Sequence, residues 1–253
     1  MYIDTHCHIT SEDYQDIPKV IEEIKEAGVE KIIVNGCDMK SNIEVLDLVK
    51  KYDIVYGAIG FHPTELEEYN DECLNFLREH INDEKIVAIG EIGLDYHYDN
   101  TDREKEITVF RRQLEIAKEY HKPVIIHSRD AIQDTYNILR EYNVRGSIHC
   151  YSGSLEMAKE FIKQGFLLGV GGVCTYKNAK VIKNVLEELD LAYFVLETDA
   201  PYLTPEPYRG MKNSSKYIPI IAKKIADIKG VPVEKVAVIT GNNAEKCFFG
   251  MNE

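Results

Sequence analysis

Short runs of β-branched and aliphatic residues alternate along the chain with longer amphipathic segments. The apolar runs predict strands at residues 2–5, 31–35, 55–59, 86–90, 124–127, 147–149, 166–170 and 193–196. The segments between them place apolar residues at helical spacing and predict helices, among them 16–27, 73–81, 103–120, 131–142, 155–164 and 178–189. Two more helices, 215–229 and 233–246, are predicted after the last strand.

The predicted strands are short and apolar throughout, as expected when both faces of a parallel sheet are buried. Eight strand–helix units in a row predict an α/β fold of the (β/α)8 TIM barrel class, with the two extra helices at the C-terminal side. An open, doubly wound sheet gives the same periodicity and stays an alternative at this stage. No Ser/Gly-rich linker or low-complexity tract divides the chain, so we expect a single domain over residues 1–253.

The composition, 44% hydrophobic and 29% charged residues, is that of an ordinary globular protein and excludes a disordered or collagen-like chain. The six cysteines form no CxxC pair, which indicates reduced thiols rather than a disulfide framework. No signal peptide and no apolar stretch of about 18 residues is visible in the sequence. We therefore expect a cytoplasmic protein without a membrane partner.

The formal net charge of −13 argues against a basic surface that binds duplex DNA. It does not exclude a phosphate-bearing substrate, because bound metal ions supply positive charge locally. Neither a GxGxxG nor a P-loop pattern is present, so no nucleotide cofactor is expected.

Polar residues collect where the predicted strands end. Since the carboxyl ends of barrel strands meet at one face, where active sites of this fold lie, these side chains are expected to converge. Burying many ionisable groups together is costly unless they are paired or hold a metal. The predicted metal ligands are His6, His8, Glu91, His127, His149 and Asp199.

Six candidate ligands exceed the four that one tetrahedral ion needs, and a carboxylate such as Glu91 can bridge two ions. The sequence thus predicts two divalent ions per chain, with zinc, manganese, magnesium and iron all compatible with mixed imidazole and carboxylate ligands. In such a site the ions activate a water molecule for attack. Asp199 is then a ligand, a general base for that water, or both, and Glu91 and Asp199 are the candidate catalytic residues. Asp95 is expected one loop turn beyond Glu91, as a partner behind the ligands or as a capping residue.

Six motifs occur in order along nearly the whole chain: DTHCH, GFHP, GEIGLDY, PVIIHSRDA, HCYSG and ETDAPYL. Together they resemble the TatD family of metal-dependent deoxyribonucleases, which belongs to the amidohydrolase-like barrels. The resemblance implies a (β/α)8 barrel, a cytoplasmic location and a metal-dependent hydrolase of phosphodiester bonds in DNA, an ester-bond hydrolase of class EC 3.1.

Position by position, the resemblance implies that His6 and His8 hold one metal ion and that Glu91 bridges. It implies that His127 and His149 hold the second ion. Asp199 becomes the metal-linked acid/base.

Several further residues are candidates for substrate contact. The resemblance implies that His62 of GFHP contacts the substrate or lies behind the ligands, and Asp95 of GEIGLDY is also a candidate. Arg129 and Arg209 lie on predicted loops at the mouth of the barrel and suit phosphate groups. Tyr151 and Tyr202 are candidates for stacking on an unpaired base.

One position departs from the family. Its members commonly read RGxxNEP after the last strand, whereas here Asn213 is followed by Ser214. The missing carboxylate bears on the anchoring of this loop and on substrate preference, but it changes no predicted metal ligand.

Three functions are compatible with these residues. The first is a deoxyribonuclease, exonucleolytic in type, that acts on DNA ends or single strands. The second is a metal-dependent amidohydrolase or ester deacylase, for example an aminoacyl-tRNA deacylase, on the same barrel. The third, a binding barrel with a structural metal, is disfavoured by the surplus of ligands. Basic residues near the predicted mouth favour the first, while metal identity, DNA or RNA preference, polarity and oligomeric state stay open.

Overall fold

The computed structural model describes residues 1–98 and 102–250 of the chain. The eight strands are β1 Tyr2–Cys7, β2 Val29–Asn35, β3 Val55–Ile59, β4 Ile86–Asp95, β5 Val124–Arg129, β6 Gly146–Ile148, β7 Phe166–Val170 and β8 Phe194–Leu196. The helices are α1 Ile17–Glu26, α2 Met39–Lys51, α3 Asp71–His80, α4 Arg103–Glu119, α5 Ile132–Leu139, α6 Leu155–Lys163, α7 Lys180–Glu188, α8 Ile218–Lys229 and α9 Val233–Phe248. Within these described ranges, no helix combines the length and the apolar character needed to cross a membrane.

The strands form one sheet in the order β1 to β8, and the pairs β1–β2, β3–β4, β4–β5, β5–β6 and β7–β8 are parallel. A doubly wound sheet reverses its strand order at a switch point. The sequential order excludes that alternative and is the topology of the predicted (β/α)8 class.

The chain divides into two compact units, one made of residues 1–34 and 149–253 and the other of residues 35–148. The first contains β1, most of β2, β7 and β8, and helices α1 and α6 to α9. The second contains β3 to β6 and helices α2 to α5. The single domain over residues 1–253 stays a prediction.

In the first unit, local sequence sets the helix boundaries. Helix α1 begins after Asp16, whose carboxylate accepts the Lys19 N–H at 3.0 Å. Helix α8 begins three residues later than the predicted 215–229, because Ser215–Tyr217 form a turn of 3-10 helix. The hydroxyl of Ser214 accepts the Lys216 N–H at the start of that turn, so the residue that departs from the family pattern has a capping role.

In the second unit, β4 is twice as long as the predicted 86–90. It runs from Ile86 to Asp95, and all of its residues are buried. The glycine and carboxylates after residue 90 predict a loop in the sequence, whereas the structure keeps them in the sheet. Alternate residues of a strand share a face, so Glu91 and Asp95 point the same way, and both carboxylates contact His127.

Candidate metal centre

The first unit brings three imidazoles and one carboxylate together. The Nε2 atoms of His6, His8 and His149 lie 3.6, 3.6 and 3.7 Å from Oδ1 of Asp199. The Nε2 atoms of His6 and His8 are 3.0 Å apart, so the two histidines of strand one face the same side as predicted from their spacing. The ring of His149 stacks on that of His6 with centroids 3.6 Å apart. We call these four residues the first cluster.

The separations in the first cluster fit a bound cation. A tetrahedral ion with bonds of about 2.1 Å holds its ligand atoms about 3.4 Å apart, and an octahedral ion at the same bond length about 3.0 Å apart. The measured 3.0 to 3.7 Å covers both geometries. Three imidazole nitrogens and a carboxylate oxygen are ligands that divalent transition metals accept.

Backbone and side-chain hydrogen bonds fix β1 against the segment after β8. The backbone N–H groups of Thr198 and Asp199 both donate to the His6 carbonyl oxygen, at 3.3 and 3.0 Å respectively. Buried Asp4 accepts from the His6 N–H at 3.1 Å and from the Thr198 hydroxyl at 2.6 Å. The pKa of Asp4 is raised to about 7 by burial, even though the hydrogen bonds from Thr198 and the His6 N–H act to lower it. The histidines of strand one are therefore held opposite Asp199.

Asp199 occupies a tight turn with φ at 55°, in the left-handed region that aspartate tolerates better than most residues. Burial raises the pKa of its carboxyl group, but the charge of His149, the hydrogen bond with His8 and the charge of His6 outweigh burial and hold that pKa below its usual value. The carboxylate is therefore ionised at neutral pH.

Glu197 lies behind the first cluster. Its Oε1 is 3.2 Å from Nδ1 of His149 and accepts the Cys150 N–H at 2.5 Å. A carboxylate on the far nitrogen of a histidine orients the ring and makes Nε2 a better ligand. A Cβ at position 169 would lie 2.1 Å from Oε2 of Glu197, so Gly169 makes room for this carboxylate. Glu197 follows the last residue of β8 directly and is not among the site residues predicted from the sequence.

The second unit holds a second cluster, made of His62, Glu91, Asp95 and His127. Oε1 of Glu91 is 2.9 Å from Nδ1 of His127 and 3.8 Å from Nε2 of His62. Nε2 of His127 is 3.1 Å from Oδ2 of Asp95. His127 therefore lies between two carboxylates, one of which can hold a metal ion while the other orients the ring.

The position of Asp95 corrects one expectation. It is the last residue of β4 and not part of a loop one turn beyond Glu91. Burial raises the pKa of its carboxyl group, but the hydrogen bonds from His127 and the His97 N–H outweigh it and hold that pKa below its usual value. Asp95 contacts His127 and also accepts the His97 N–H, and its role behind a metal ligand, as a cap or in substrate contact stays a prediction.

Helix α4 contributes a residue that the sequence did not single out. Oε2 of Glu106 accepts the Asp95 N–H at 2.8 Å, and its side chain is only 5% exposed. Burial, and then the neighbouring charge of Asp95, raise the pKa of Glu106 to about 7. The only sign of this role in the sequence is that Glu106 falls on the apolar face of a predicted helix.

His62 caps a 3-10 turn, Pro63–Glu65, that follows β3. Its Nδ1 lies 2.7 Å from the Thr64 hydroxyl oxygen and 3.2 Å from the Thr64 backbone nitrogen, so Nε2 is the ring nitrogen that faces Glu91. Contact of His62 with substrate stays a prediction.

Arg129 is the last residue of β5 and not part of a loop as predicted, and both arginines lie over aromatic rings. The Arg129 guanidinium is 5.7 Å from the ring centroid of Tyr98, and that of Arg209 is 4.5 Å from the ring centroid of Tyr176. Their binding of phosphate groups stays a prediction. The presence of two ions, the bridging role of Glu91 and the sharing of one ion by His127 and His149 also stay predictions.

Comparisons with known proteins agree with the motif order. Residues 3–249 match the family model described as TatD related DNase. The chain is 42% identical to the uncharacterized metal-dependent hydrolase YabD of Bacillus subtilis, over 98% of this chain and 99% of that one. The crystal structure of the TatD homolog YjjV from Escherichia coli K12 superimposes with a TM-score of 0.92 at 33% identity, over 98% of both chains. A TatD family hydrolase from Entamoeba histolytica, 23% identical, has the same fold with a TM-score of 0.84.

These similarities extend over nearly the full length of the chain and confirm the predicted (β/α)8 TIM barrel class. The chain belongs to the TatD family of metal-dependent hydrolases.

Proposed function

We propose that this protein is a metal-dependent deoxyribonuclease that hydrolyses phosphodiester bonds at DNA ends or in single strands. The observation that carries the proposal is the first cluster, in which three imidazole nitrogens face one carboxylate oxygen at 3.6 to 3.7 Å. The DNase description of the matching family supports the choice of phosphodiester substrates.

The proposal includes two divalent ions per chain. Their ligands are His6, His8, Glu91, His127, His149 and Asp199. Ions bound there would polarise a phosphoryl oxygen and lower the pKa of water. Zinc, manganese, magnesium and iron are all compatible with this ligand set.

The side chains have distinct tasks in the reaction. Asp199 is ionised and partly exposed, so it can take the proton of the attacking water as general base. Glu91 would hold metal through a carboxylate that is almost fully buried. The Nε2–H of His62 can donate to a phosphoryl oxygen near Glu91, and Asp95 keeps the ring of His127 oriented.

Substrate binding has to overcome the acidity of the chain. Arg129 and Arg209 lie over aromatic rings and offer planar guanidinium groups to phosphate oxygens. Because the sequence has no long basic run, ends and single strands that reach into a recessed site are better substrates than the middle of a duplex. We propose a cytoplasmic location and no nucleotide cofactor.

The test removes metal with a chelator, restores single metal ions, and measures hydrolysis of 5′- and 3′-labelled single-stranded DNA. Intact circular duplex DNA and a panel of amides and esters, including an aminoacyl-tRNA, are assayed beside it. Metal-restored cleavage of the linear single strand, well above cleavage of the circle, is the expected result. Faster turnover of an amide or ester than of any DNA contradicts the proposal and favours the amidohydrolase or deacylase alternative.

A further inference from the structure

The loop that follows Asp199 exposes a large aromatic side chain next to the first cluster. Tyr202 is 59% exposed. We propose that its ring forms a stacking subsite for the unpaired base of the nucleotide that carries the scissile phosphate. This inference rests on the proposed function and specifies its substrate as a single-stranded or frayed DNA end.

The position of the ring supports a role at the reacting end of the substrate. The ring centroids of Tyr202 and His8 are 6.4 Å apart, and Nε2 of His8 faces the carboxylate of Asp199. A nucleotide whose base stacks on Tyr202 can therefore reach the first cluster with its own phosphate group.

Hydrogen bonds hold the backbone at Tyr202 in place without a ligand. The Tyr202 N–H donates to the Asp199 carbonyl oxygen at 2.8 Å, which closes the turn between them. The Tyr202 carbonyl oxygen accepts from Nδ2 of Asn213 at 2.5 Å, and Asn213 is fully buried. A loop whose backbone is already held loses less conformational entropy on binding, so more of the stacking energy appears as affinity.

The same loop also carries a cation. Arg209 lies over the ring of Tyr176, whose hydroxyl donates to the Thr204 carbonyl oxygen at 3.0 Å. An exposed aromatic ring together with a guanidinium group is the combination that binds single-stranded nucleic acid, with the ring on a base and the cation on the backbone. A paired base is covered on its faces by its neighbours in the duplex, so stacking selects unpaired ends.

The structure separates two tyrosines that the sequence treated alike. Tyr151 is 4% exposed, and its hydroxyl donates to the Ser154 carbonyl oxygen at 2.6 Å. Its ring has no face open to a base. Of these two tyrosines, only Tyr202 can form the stacking subsite.

The absence of tryptophan from the sequence gives a direct binding test. Tyr202→Trp keeps an aromatic ring and creates a single-tryptophan protein whose fluorescence is quenched when a base stacks on it. The matched control is Tyr193→Trp, at a 38% exposed tyrosine that precedes β8, at the opposite end of that strand. Both variants, loaded with metal, are titrated with a short single-stranded oligonucleotide whose phosphorothioate linkages slow hydrolysis, and with an abasic oligomer of the same length.

Saturable quenching of Tyr202→Trp by the base-bearing strand, with little quenching by the abasic strand and none in Tyr193→Trp, is expected. Equal quenching by both strands overturns the proposal. So does the absence of quenching at strand concentrations that saturate the protein by fluorescence anisotropy.

Kinetics give a second readout. Tyr202→Ala should raise KM for a single-stranded end by about 5- to 100-fold, while Tyr202→Phe stays near the wild type. With an abasic terminal nucleotide the three proteins should have equal KM, and an equal loss on both substrates in Tyr202→Ala overturns the proposal. If the wild type hydrolyses no phosphodiester while Tyr202→Trp is still quenched by the base-bearing strand, the proposed reaction fails and the base subsite stands.

Discussion

The side-chain amide of Asn213 donates to the Thr198 carbonyl oxygen at 2.8 Å and so fastens the loop after β8 to the turn that carries Asp199. The same Nδ2 donates to Tyr202, and the backbone N–H of Asn213 donates to the Pro201 carbonyl oxygen at 3.0 Å. The anchoring of this loop therefore comes from Asn213 and does not require the family carboxylate that Ser214 replaces.

Asn213 is accordingly a positioning residue for Asp199. Asn213→Ala leaves the Thr198 and Tyr202 carbonyl oxygens without their donor, which should lower the free energy of unfolding by about 1–3 kcal/mol. It should also lower kcat at saturating metal by at least tenfold, because the turn that carries Asp199 loses its tether. Urea unfolding and steady-state kinetics measure the two effects.

A matched control exists at the other end of β8. Nδ2 of Asn243 donates to the carbonyl oxygens of Leu191 and Phe194 at 2.9 and 2.8 Å. Asn243→Ala should lose similar stability and keep kcat within about twofold. A similar fall in kcat for both variants would mean that general destabilisation, and not the position of Asp199, lowers the rate.

Asp199 and Glu91 should each be essential for turnover. Asp199→Asn keeps the shape of the side chain but removes the base, and general-base removal commonly lowers rates by about 10²- to 10⁴-fold. Glu91→Ala should lower the rate by a similar factor through lost metal binding. Cys7→Ser is the control on strand one, since the Cys7 thiol is fully buried and points to the Ile33 carbonyl oxygen at 3.5 Å. Near wild-type activity in Asp199→Asn or Glu91→Ala, measured on labelled single-stranded DNA, would remove that residue from the mechanism.

Metal content should follow the two clusters. The chelated and reconstituted wild type is expected to bind two divalent ions per chain by elemental analysis, with a rise in the thermal midpoint because the ions bind the folded state. His149→Ala and His127→Ala should each bind at least one ion fewer. His80→Ala is the control, because His80 on α3 pairs with Asp83 at 2.8 Å outside both clusters. One ion in the wild type, or two in both cluster variants, contradicts the two-ion assignment.

Asp95 should matter through His127. Asp95→Asn exchanges an ionised acceptor for a neutral amide at Nε2 of His127, and such changes behind a metal ligand commonly weaken metal binding by about 10- to 100-fold. The loss should be recovered at high metal concentration, which separates a positioning role from a chemical one. Asp134→Asn, at an exposed carboxylate that accepts from the Tyr96 hydroxyl, should leave metal affinity unchanged. A rate defect in Asp95→Asn that persists at saturating metal would assign Asp95 to the reaction itself.

The sequence predicted the strands and their polar ends because both depend on local pattern. Histidines two apart on strand one had to share a side, and His6 and His8 do. The grouping of His149 with that pair depends on the contact between β1 and the segment after β8. The spacing of apolar residues along the sequence does not predict such a long-range contact. Glu106 was missed for the same reason, since its partner is a backbone N–H of Asp95 on another element.

Glu106 makes stability depend on pH. Its pKa lies near 7 in the folded protein, above the usual 4.5 that we take for the unfolded chain. Between these values the unfolded chain has released a proton that the folded protein retains, so the stability present below pH 4.5 is lost as the pH rises through 7. Glu106→Gln keeps an oxygen acceptor for the Asp95 N–H and cannot ionise. Its free energy of unfolding relative to the wild type should therefore rise by on the order of 2 kcal/mol between pH 5 and pH 8, measured by urea unfolding.

The exposed neighbour Glu104 on α4 provides the control, because Glu104→Gln removes one negative charge from the same helix without touching Asp95. The stability difference between Glu104→Gln and the wild type should change much less over the same range, since the Glu104 side chain is exposed to solvent. The difference between the two variants isolates the buried carboxyl group from the general charge of the chain. A pH response of Glu106→Gln that matches that of Glu104→Gln would show that the carboxyl group of Glu106 titrates as it does in water. In that case the contact with the Asp95 N–H stabilises the ionised form enough to offset burial.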